Sequence, residues 1–300
     1  MININNSFFQ KRVVALCELL GLSSNKCTLF KESIGGTNTT FFVQCDNERY
    51  VFRIASRKEK GLGINREAER LATSIASQLG IGFSLLYFDI VTGDMITKYI
   101  EGHTITNEEI IQQNHIGTIA NILHSFHSNT IDYYFDPIKD ISQRNDIIQG
   151  QSTLSHQKNF VEAMLLYNNI KDSSEFKDIR YNGLCHNDSN NFNFYISSER
   201  DLYLIDYEYS GMGNVFFDIA CLCGSWKPDL QKAFLTSYFN RFDDSFIKYL
   251  KSYYILSLIW NGTWAYVKSL DINLMGIDYI SWANEQFETA VKTSKNICLK

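Results

Sequence analysis

No part of this chain constrains its fold more than Leu184-Cys185-His186-Asn187-Asp188-Ser189-Asn190-Asn191-Phe192-Asn193 and the Leu204-Ile205-Asp206-Tyr207-Glu208 that follows. Phe194-Tyr195-Ile196 and Leu202-Tyr203-Leu204-Ile205 flank a polar turn, Ser197 to Asp201, and predict a β-hairpin. Such a hairpin holds Asp188, Asn193 and Asp206 at one end. A carboxylate, an amide oxygen and a second carboxylate at one point suit phosphoryl transfer. The first accepts a hydroxyl proton, and the other two are hard oxygen donors for the magnesium on a nucleoside triphosphate. Asn, Asp and Ser also favour ordinary turns, but here the second motif arrives at the distance the chemistry needs.

His-x-Asp, four residues, Asn, and then Ile-Asp-aromatic-Glu resembles the choline/ethanolamine kinase and aminoglycoside phosphotransferase superfamily. Cys185-His186-Asn187-Asp188 and Ile205-Asp206-Tyr207-Glu208-Tyr209 lean toward its choline kinase branch, and the resemblance extends from Ile34 to Phe287. It implies an α+β, bilobal, protein-kinase-like fold. Residues 1–100 would form a small antiparallel-sheet lobe for the nucleotide, and residues 101–300 a mostly helical lobe for catalysis and the acceptor. ATP would lie between them with Mg²⁺. Asp188 would take the acceptor's proton, His186 would orient the loop, and Asn193 and Asp206 would hold the metal with Glu208 beside them. Asp218, in Phe216-Phe217-Asp218-Ile219, would tie the loop to the next helix.

Upstream, Ile34-Gly35-Gly36-Thr37-Asn38 joins two strand-like runs. Paired glycines let backbone N–H groups approach phosphate oxygens, and Gly-Gly-x-Asn also resembles the phosphate loop of choline kinases. Arg53 interrupts the apolar run Tyr50-Val51-Phe52-Arg53-Ile54, where protein kinases carry a phosphate-binding lysine. A guanidinium there can grip phosphate through two donors. Its carboxylate partner is expected on the helix from Asn65 to Leu79. Glu67 shares the face of Leu71, Ile75 and Leu79, so Glu67 is preferred and Glu69 is the fallback. Leu85–Asp89 and Met95–Ile100 predict two more strands, and Tyr99 and Ile100 would meet the adenine edge with their backbone groups. Asn107 to His127 reads as one helix; His124 and His127 are expected to pack or cap.

The last third is helical and aromatic. Trp260 and Trp264 are four apart, with Tyr279 beyond them. Aromatic faces hold quaternary ammonium ions, and similar positions line the choline pocket in choline kinases. Tyr207 is placed with them on the acceptor side. The family's tryptophan pair is often three apart, so one of these rings could turn into the core. Choline is the favoured acceptor. Ethanolamine, thiamine and an aminoglycoside stay open, as does a kinase-like binding module without turnover.

The bulk numbers fit this reading. With 45% hydrophobic and 20% charged residues, 300 residues can bury a large core. Net charge divides into +3 over residues 1–100 and −8 over the rest. That pattern argues against a nucleic-acid partner, which wants a basic stripe. Seven cysteines (17, 27, 45, 185, 221, 223 and 298) show no Cys-x-x-Cys, so reduced thiols in a cytoplasmic protein are expected. Neither a signal peptide nor a transmembrane run is recognisable. A homodimer is compatible with the sequence.

Overall fold

The structure is a computed structural model, and it describes residues 7–34, 38–55, 62–112, 114–271 and 276–297. An N-terminal helix α1 (Ser7–Leu19) precedes strands β1 (Cys27–Ile34), β2 (Asn38–Cys45) and β3 (Glu48–Ala55), helix α2 (Arg66–Gln78), and strands β4 (Leu85–Phe88) and β5 (Met95–Lys98). The five strands form one antiparallel sheet in the order β1-β2-β3-β5-β4. Alternation sorts its two faces. Phe41 and Val43 of β2 and Phe52 and Ile54 of β3 are buried against Val13, Leu16 and Cys17 of α1. Thr40, Phe42, Val51 and Arg53, at the intervening positions, line a cleft on the other face. An ion pair between Arg12 and Asp94 fastens α1 to the sheet, and the same carboxylate accepts Ala55 N–H at 3.0 Å.

The rest of the chain is largely helical: β6 (Gly102–Thr104), α3 (Asn107–Gln112), α4 (Ile116–His127), α5 (Pro137–Gln149), α6 (Ser152–Ser155), α7 (Lys158–Ile170), β7 (Asn182–Cys185), β8 (Phe194–Ser197), β9 (Leu202–Leu204), β10 (Gly211–Asn214), α8 (Val215–Cys223), α9 (Pro228–Phe239), α10 (Ser245–Lys268) and α11 (Tyr279–Ile297). This is the bilobal architecture expected, with the β8–β9 hairpin where the sequence puts it; β6 adds a third strand beside β8. The expected helix from Asn107 to His127 is instead two, because Asn114 takes a left-handed φ of 59° between them. Asp136 caps α5 by accepting Ile138 and Lys139 N–H, with Pro137 at the first helical position, where its missing N–H costs no helical bond. The lobes are stitched where Leu204 N–H meets the Ile81 carbonyl at 2.7 Å.

The cysteines depart from expectation at one place. Cys27 and Cys45 face each other in the β1–β2 register and are joined as a disulfide, while Cys17, Cys185, Cys221 and Cys223 are free thiols. A separation of 18 positions in sequence hid a cross-strand contact that only strand register creates. Among the described residues, no helix is long and apolar enough to cross a membrane.

Candidate active site

The catalytic loop between β7 and β8 is built around one buried carboxylate. Asp218, in the first turn of α8, accepts His186 N–H at 2.7 Å and Asn187 N–H at 2.6 Å. It also meets His127 Nε2 at 2.8 Å, and His127 Nδ1 meets the Tyr238 hydroxyl at 2.6 Å. Burial, the largest influence, opposes its charge, but the His127 and His186 contacts together outweigh it and leave Asp218 below its ordinary value. So His127 does pack, as expected, and Asp218 does anchor the loop. Asn187 turns the chain with a left-handed φ of 64°.

His186 is fixed through both nitrogens: Nε2 lies 2.8 Å from the Ile205 carbonyl, and Nδ1 lies 3.3 Å from Asp188 N–H. A ring that donates to the first and accepts from the second is neutral, and burial does lower its pKa. Its geometry suits orienting the loop and leaves no lone pair for a substrate proton. The Asp188 carboxylate accepts Asn190 Nδ2 at 2.8 Å and Asn193 Nδ2 at 2.9 Å. Burial and the nearby Asp206 charge push this carboxyl up to about 7, against the pull of the two amides. Because Asn193 spends its nitrogen on Asp188, its oxygen is left for a cation. Asp206 stands in the left-handed region at φ 68°, with its side chain 40% exposed into the cleft. Desolvation raises its pKa and Arg53 pulls it down.

Arg53 places one guanidinium nitrogen 3.4 Å from Asp206 and the other 3.2 Å from the Gly93 carbonyl, where it also pairs with Glu69. Burial opposes its charge, but Glu69, Asp206 and Glu208 together hold its pKa above the ordinary value. The expected Glu67 partner is therefore wrong. Glu67 is exposed and bonds Arg70 at 2.6 Å, whereas Glu69 is wholly buried between Arg53 and Arg66. The reason lies in α2, whose buried face is Ala68, Glu69, Ala72, Thr73 and Ala76 rather than the Leu71–Leu79 stripe. Ala72 and Ala76 of that face join the core of the helical lobe, and Leu79 is left outside.

Glu208 accepts Asn38 Nδ2 at 3.1 Å, so the start of β2 is tied to the second motif. Gly35, Gly36 and Thr37 lie outside the described residues. Asn38, Arg53, Tyr99, Ile100 and Asp206 line one cavity of about 860 Å³ between the lobes. Of the two hinge residues, Tyr99 spends its N–H on the Arg49 carbonyl, 3.0 Å away.

The aromatic group is rearranged. Trp264, Tyr279 and Trp282 converge, with ring centres 5.8–6.4 Å apart. Trp260 does not join them. It is 3% exposed, its face carries the Arg144 guanidinium at 4.3 Å, and its Nε1–H goes to Asp140 at 3.2 Å. A cation already sits on that ring, and it is the protein's own. Tyr207 is also corrected: its ring packs on Phe126 and His186, and its hydroxyl donates to the Leu204 carbonyl at 2.7 Å. Tyr209 is the tyrosine of that segment that meets the aromatic group, accepting Trp264 Nε1–H at 2.6 Å, while its carbonyl accepts Asn187 Nδ2 at 2.9 Å. Trp282, the ring sequence reasoning missed, is three residues after Tyr279 on one helix, a spacing that could have revealed it.

An antiparallel sheet over a helical lobe, with two aspartates and an asparagine at one end of a hairpin facing an ion-paired arginine, defines a small-molecule kinase of the protein-kinase-like class. The family model of choline/ethanolamine kinases matches residues 28–239, and the chain belongs to that family. An uncharacterized Mycoplasma pneumoniae protein, the MG356 homolog, is 26% identical over 213 residues, 68% of this chain and 67% of that one. The choline kinase LicA of Streptococcus pneumoniae superposes with a TM-score of 0.76 at 22% identity, over 97% of this chain and all of its own. A structure of LicA in complex with AMP gives the same TM-score of 0.76 at 22% identity, over 98% of this chain and all of that one. A Plasmodium vivax ethanolamine kinase gives 0.76 at 18%, over 96% and 89%.

Proposed function

We propose that this protein transfers the γ-phosphoryl group of ATP to the hydroxyl of a small cationic alcohol, choline first. The observation that carries this is the coupling of Asp188 to Asn193. One amide nitrogen fixes the carboxylate that takes the hydroxyl proton, and the same amide's oxygen is left for a metal. The donor set fits magnesium: the Asn193 amide oxygen, the Asp206 carboxylate and Glu208 nearby are all hard oxygen ligands. When bound, magnesium neutralises charge on the phosphates and aligns the transferred group. Arg53, held by Glu69, steadies the α- and β-phosphates, and phosphate binding is the role assigned to Gly35, Gly36, Thr37 and Asn38. Residues 1–100 are the nucleotide lobe in this reading, and residues 101–300 carry the acceptor.

Asp188 accepts the proton as the oxygen–phosphorus bond forms. A carboxyl that titrates near 7 makes a better base than an ordinary one, while still losing its proton readily at neutral pH. Most of the rate comes from holding acceptor and phosphate in line. The acceptor cation is read by Trp264, Tyr279 and Trp282, each face contributing about 0.5–2 kcal/mol once desolvated. Ethanolamine is the second reading. Arg144 on Trp260 leaves fewer faces for a trimethylammonium, and a smaller ammonium needs fewer.

The test is ADP release with Mg-ATP and choline, ethanolamine, thiamine or an aminoglycoside, each product identified by mass. Choline should be phosphorylated fastest, and Asp188→Asn should abolish turnover while ATP still binds. A preference for ethanolamine or an aminoglycoside would discard choline, and wild-type activity in D188N would remove Asp188 as the base.

A further inference from the structure

Glu69 divides its carboxylate between two arginines. Oε1 pairs with Arg53, and Oε2 accepts from Arg66 Nη1 at 2.5 Å. Arg66 opens α2, three residues before Glu69, and its side chain is only 10% exposed. A glycine makes room for it. Gly93 stands at φ 77°, and a Cβ there would lie 2.5 Å from Arg66 Nε and 2.7 Å from Arg66 Cζ. Any other residue would be strained as well as crowded. The Gly93 carbonyl also accepts Arg53 Nη2 at 3.2 Å, so this one residue seats both guanidinium groups around Glu69.

A carboxylate that faces a single arginine commonly grips it with both oxygens, two parallel bonds to one fork. Arg53 is held by one oxygen only, because Arg66 has the other. Its remaining terminal nitrogen, Nη1, is turned to Asp206 at 3.4 Å, and both residues line the interlobe cavity. The charges divide in the same way. Two guanidinium groups share one carboxylate, so this buried group of three keeps a surplus positive charge.

We propose that Arg66 is a positioning residue for the nucleotide phosphates: by occupying the second oxygen of Glu69 it keeps Arg53 turned toward the cavity and leaves the surplus charge to the phosphates. This rests on the cavity being the nucleotide site and on Arg53 meeting the phosphates there. Without Arg66, Glu69 is free to turn both oxygens on Arg53. The pair then becomes neutral, and the guanidinium is drawn back from Asp206. In a site shielded from water such a change in charge is felt strongly by a polyphosphate and hardly at all by an uncharged base.

The experiment titrates Mg-ADP and adenosine into wild type, Arg66→Met, Arg66→Gln, Arg66→Lys and Arg70→Met. Adenosine reports the base pocket and the fold, ADP adds the phosphates, and neither needs an acceptor. R66M should weaken Mg-ADP about tenfold, the equivalent of about 1.4 kcal/mol, with adenosine changed less than about twofold. R66Q should do the same, because the surplus charge is gone. Its amide can still donate to Glu69, so it carries the test if methionine at this position prevents folding. R66K keeps the charge and should stay within about threefold of wild type for Mg-ADP. Arg70 pairs with Glu67 on the surface of the same helix, and R70M should match wild type. An unchanged ADP:adenosine ratio in R66M and R66Q, an equal fall for both ligands, or a loss in R66K as large as in R66M overturns the proposal. If wild type prefers Mg-ADP to adenosine and these variants keep that preference, only the role of Arg66 fails and the kinase reading stands. If wild type shows no such preference, the phosphate role of Arg53 fails with it.

Discussion

Glu69 and Glu67 are two residues apart on one helix, and the structure assigns them very different energetic weight. Glu69 has no exposed side-chain surface and bridges Arg53 to Arg66. Removing one partner from a buried pair typically costs about 3–5 kcal/mol, because a desolvated charge is left uncompensated. Glutamine keeps the shape and one hydrogen bond, so Glu69→Gln should sit at the lower end, about 3 kcal/mol. Glu67 pairs with Arg70 on the surface, both side chains substantially exposed. Such exposed pairs contribute little, so Glu67→Gln should be nearly silent. For a domain this large, about 2–4 °C of Tm follows each kcal/mol. E69Q should therefore melt roughly 6–12 °C below wild type, and E67Q close to it. Thermal melts in low salt with urea midpoints as a check would decide it, and KM for ATP should rise in E69Q alone. The reasoning is refuted if E67Q loses as much stability as E69Q, or if only E67Q raises KM.

Three further outcomes follow from the same geometry. In nucleotide-free protein, Asp188 keeps its proton to about pH 7, whereas the unfolded chain releases it near 4. The native state binds the extra proton in that window, so Asp188 costs stability as pH rises from 4 to 7. Asp188→Asn should gain on wild type between pH 4.5 and 8 by about 2 kcal/mol, after discounting for partial exposure; a pH-independent difference in Tm would contradict the raised pKa. Trp264→Ala and Trp282→Ala should each raise acceptor KM about tenfold with KM for ATP unchanged, whereas Trp260→Ala should lose about 3–5 kcal/mol of stability as a core truncation. Raised acceptor KM in a fully stable W260A would restore Trp260 to the pocket. Asp218→Asn should cost about 3 kcal/mol and lower kcat with little change in either KM, since it unseats the loop without touching a ligand; unchanged kcat would mean the loop holds its shape without that carboxylate.

The sequence by itself determined what local chemistry and short spacing can carry. Asp188, Asn193 and Asp206 stand within one hairpin unit, so their convergence follows from two short strands and a turn. Arg53 was legible because strand alternation puts a lone cation of an apolar run on the face opposite Phe52 and Ile54. Asp218 was legible as a tether through the family resemblance of Phe216-Phe217-Asp218-Ile219. The tertiary structure decided everything that depends on which face a helix turns inward and on what already fills a ring's surface. Periodicity pointed to Leu71, Ile75 and Leu79 on α2, but close packing chose Ala68, Ala72 and Ala76 and carried Glu69 inward with them. Two tryptophans four apart looked equivalent until Arg144, from a helix more than a hundred residues earlier, covered one of them. The Cys27–Cys45 pairing and the Tyr195 bond to Ile100 are likewise contacts between segments whose register no local pattern records. Spacing along one element fixes what that element can present, while the partner it presents it to is set by packing between elements.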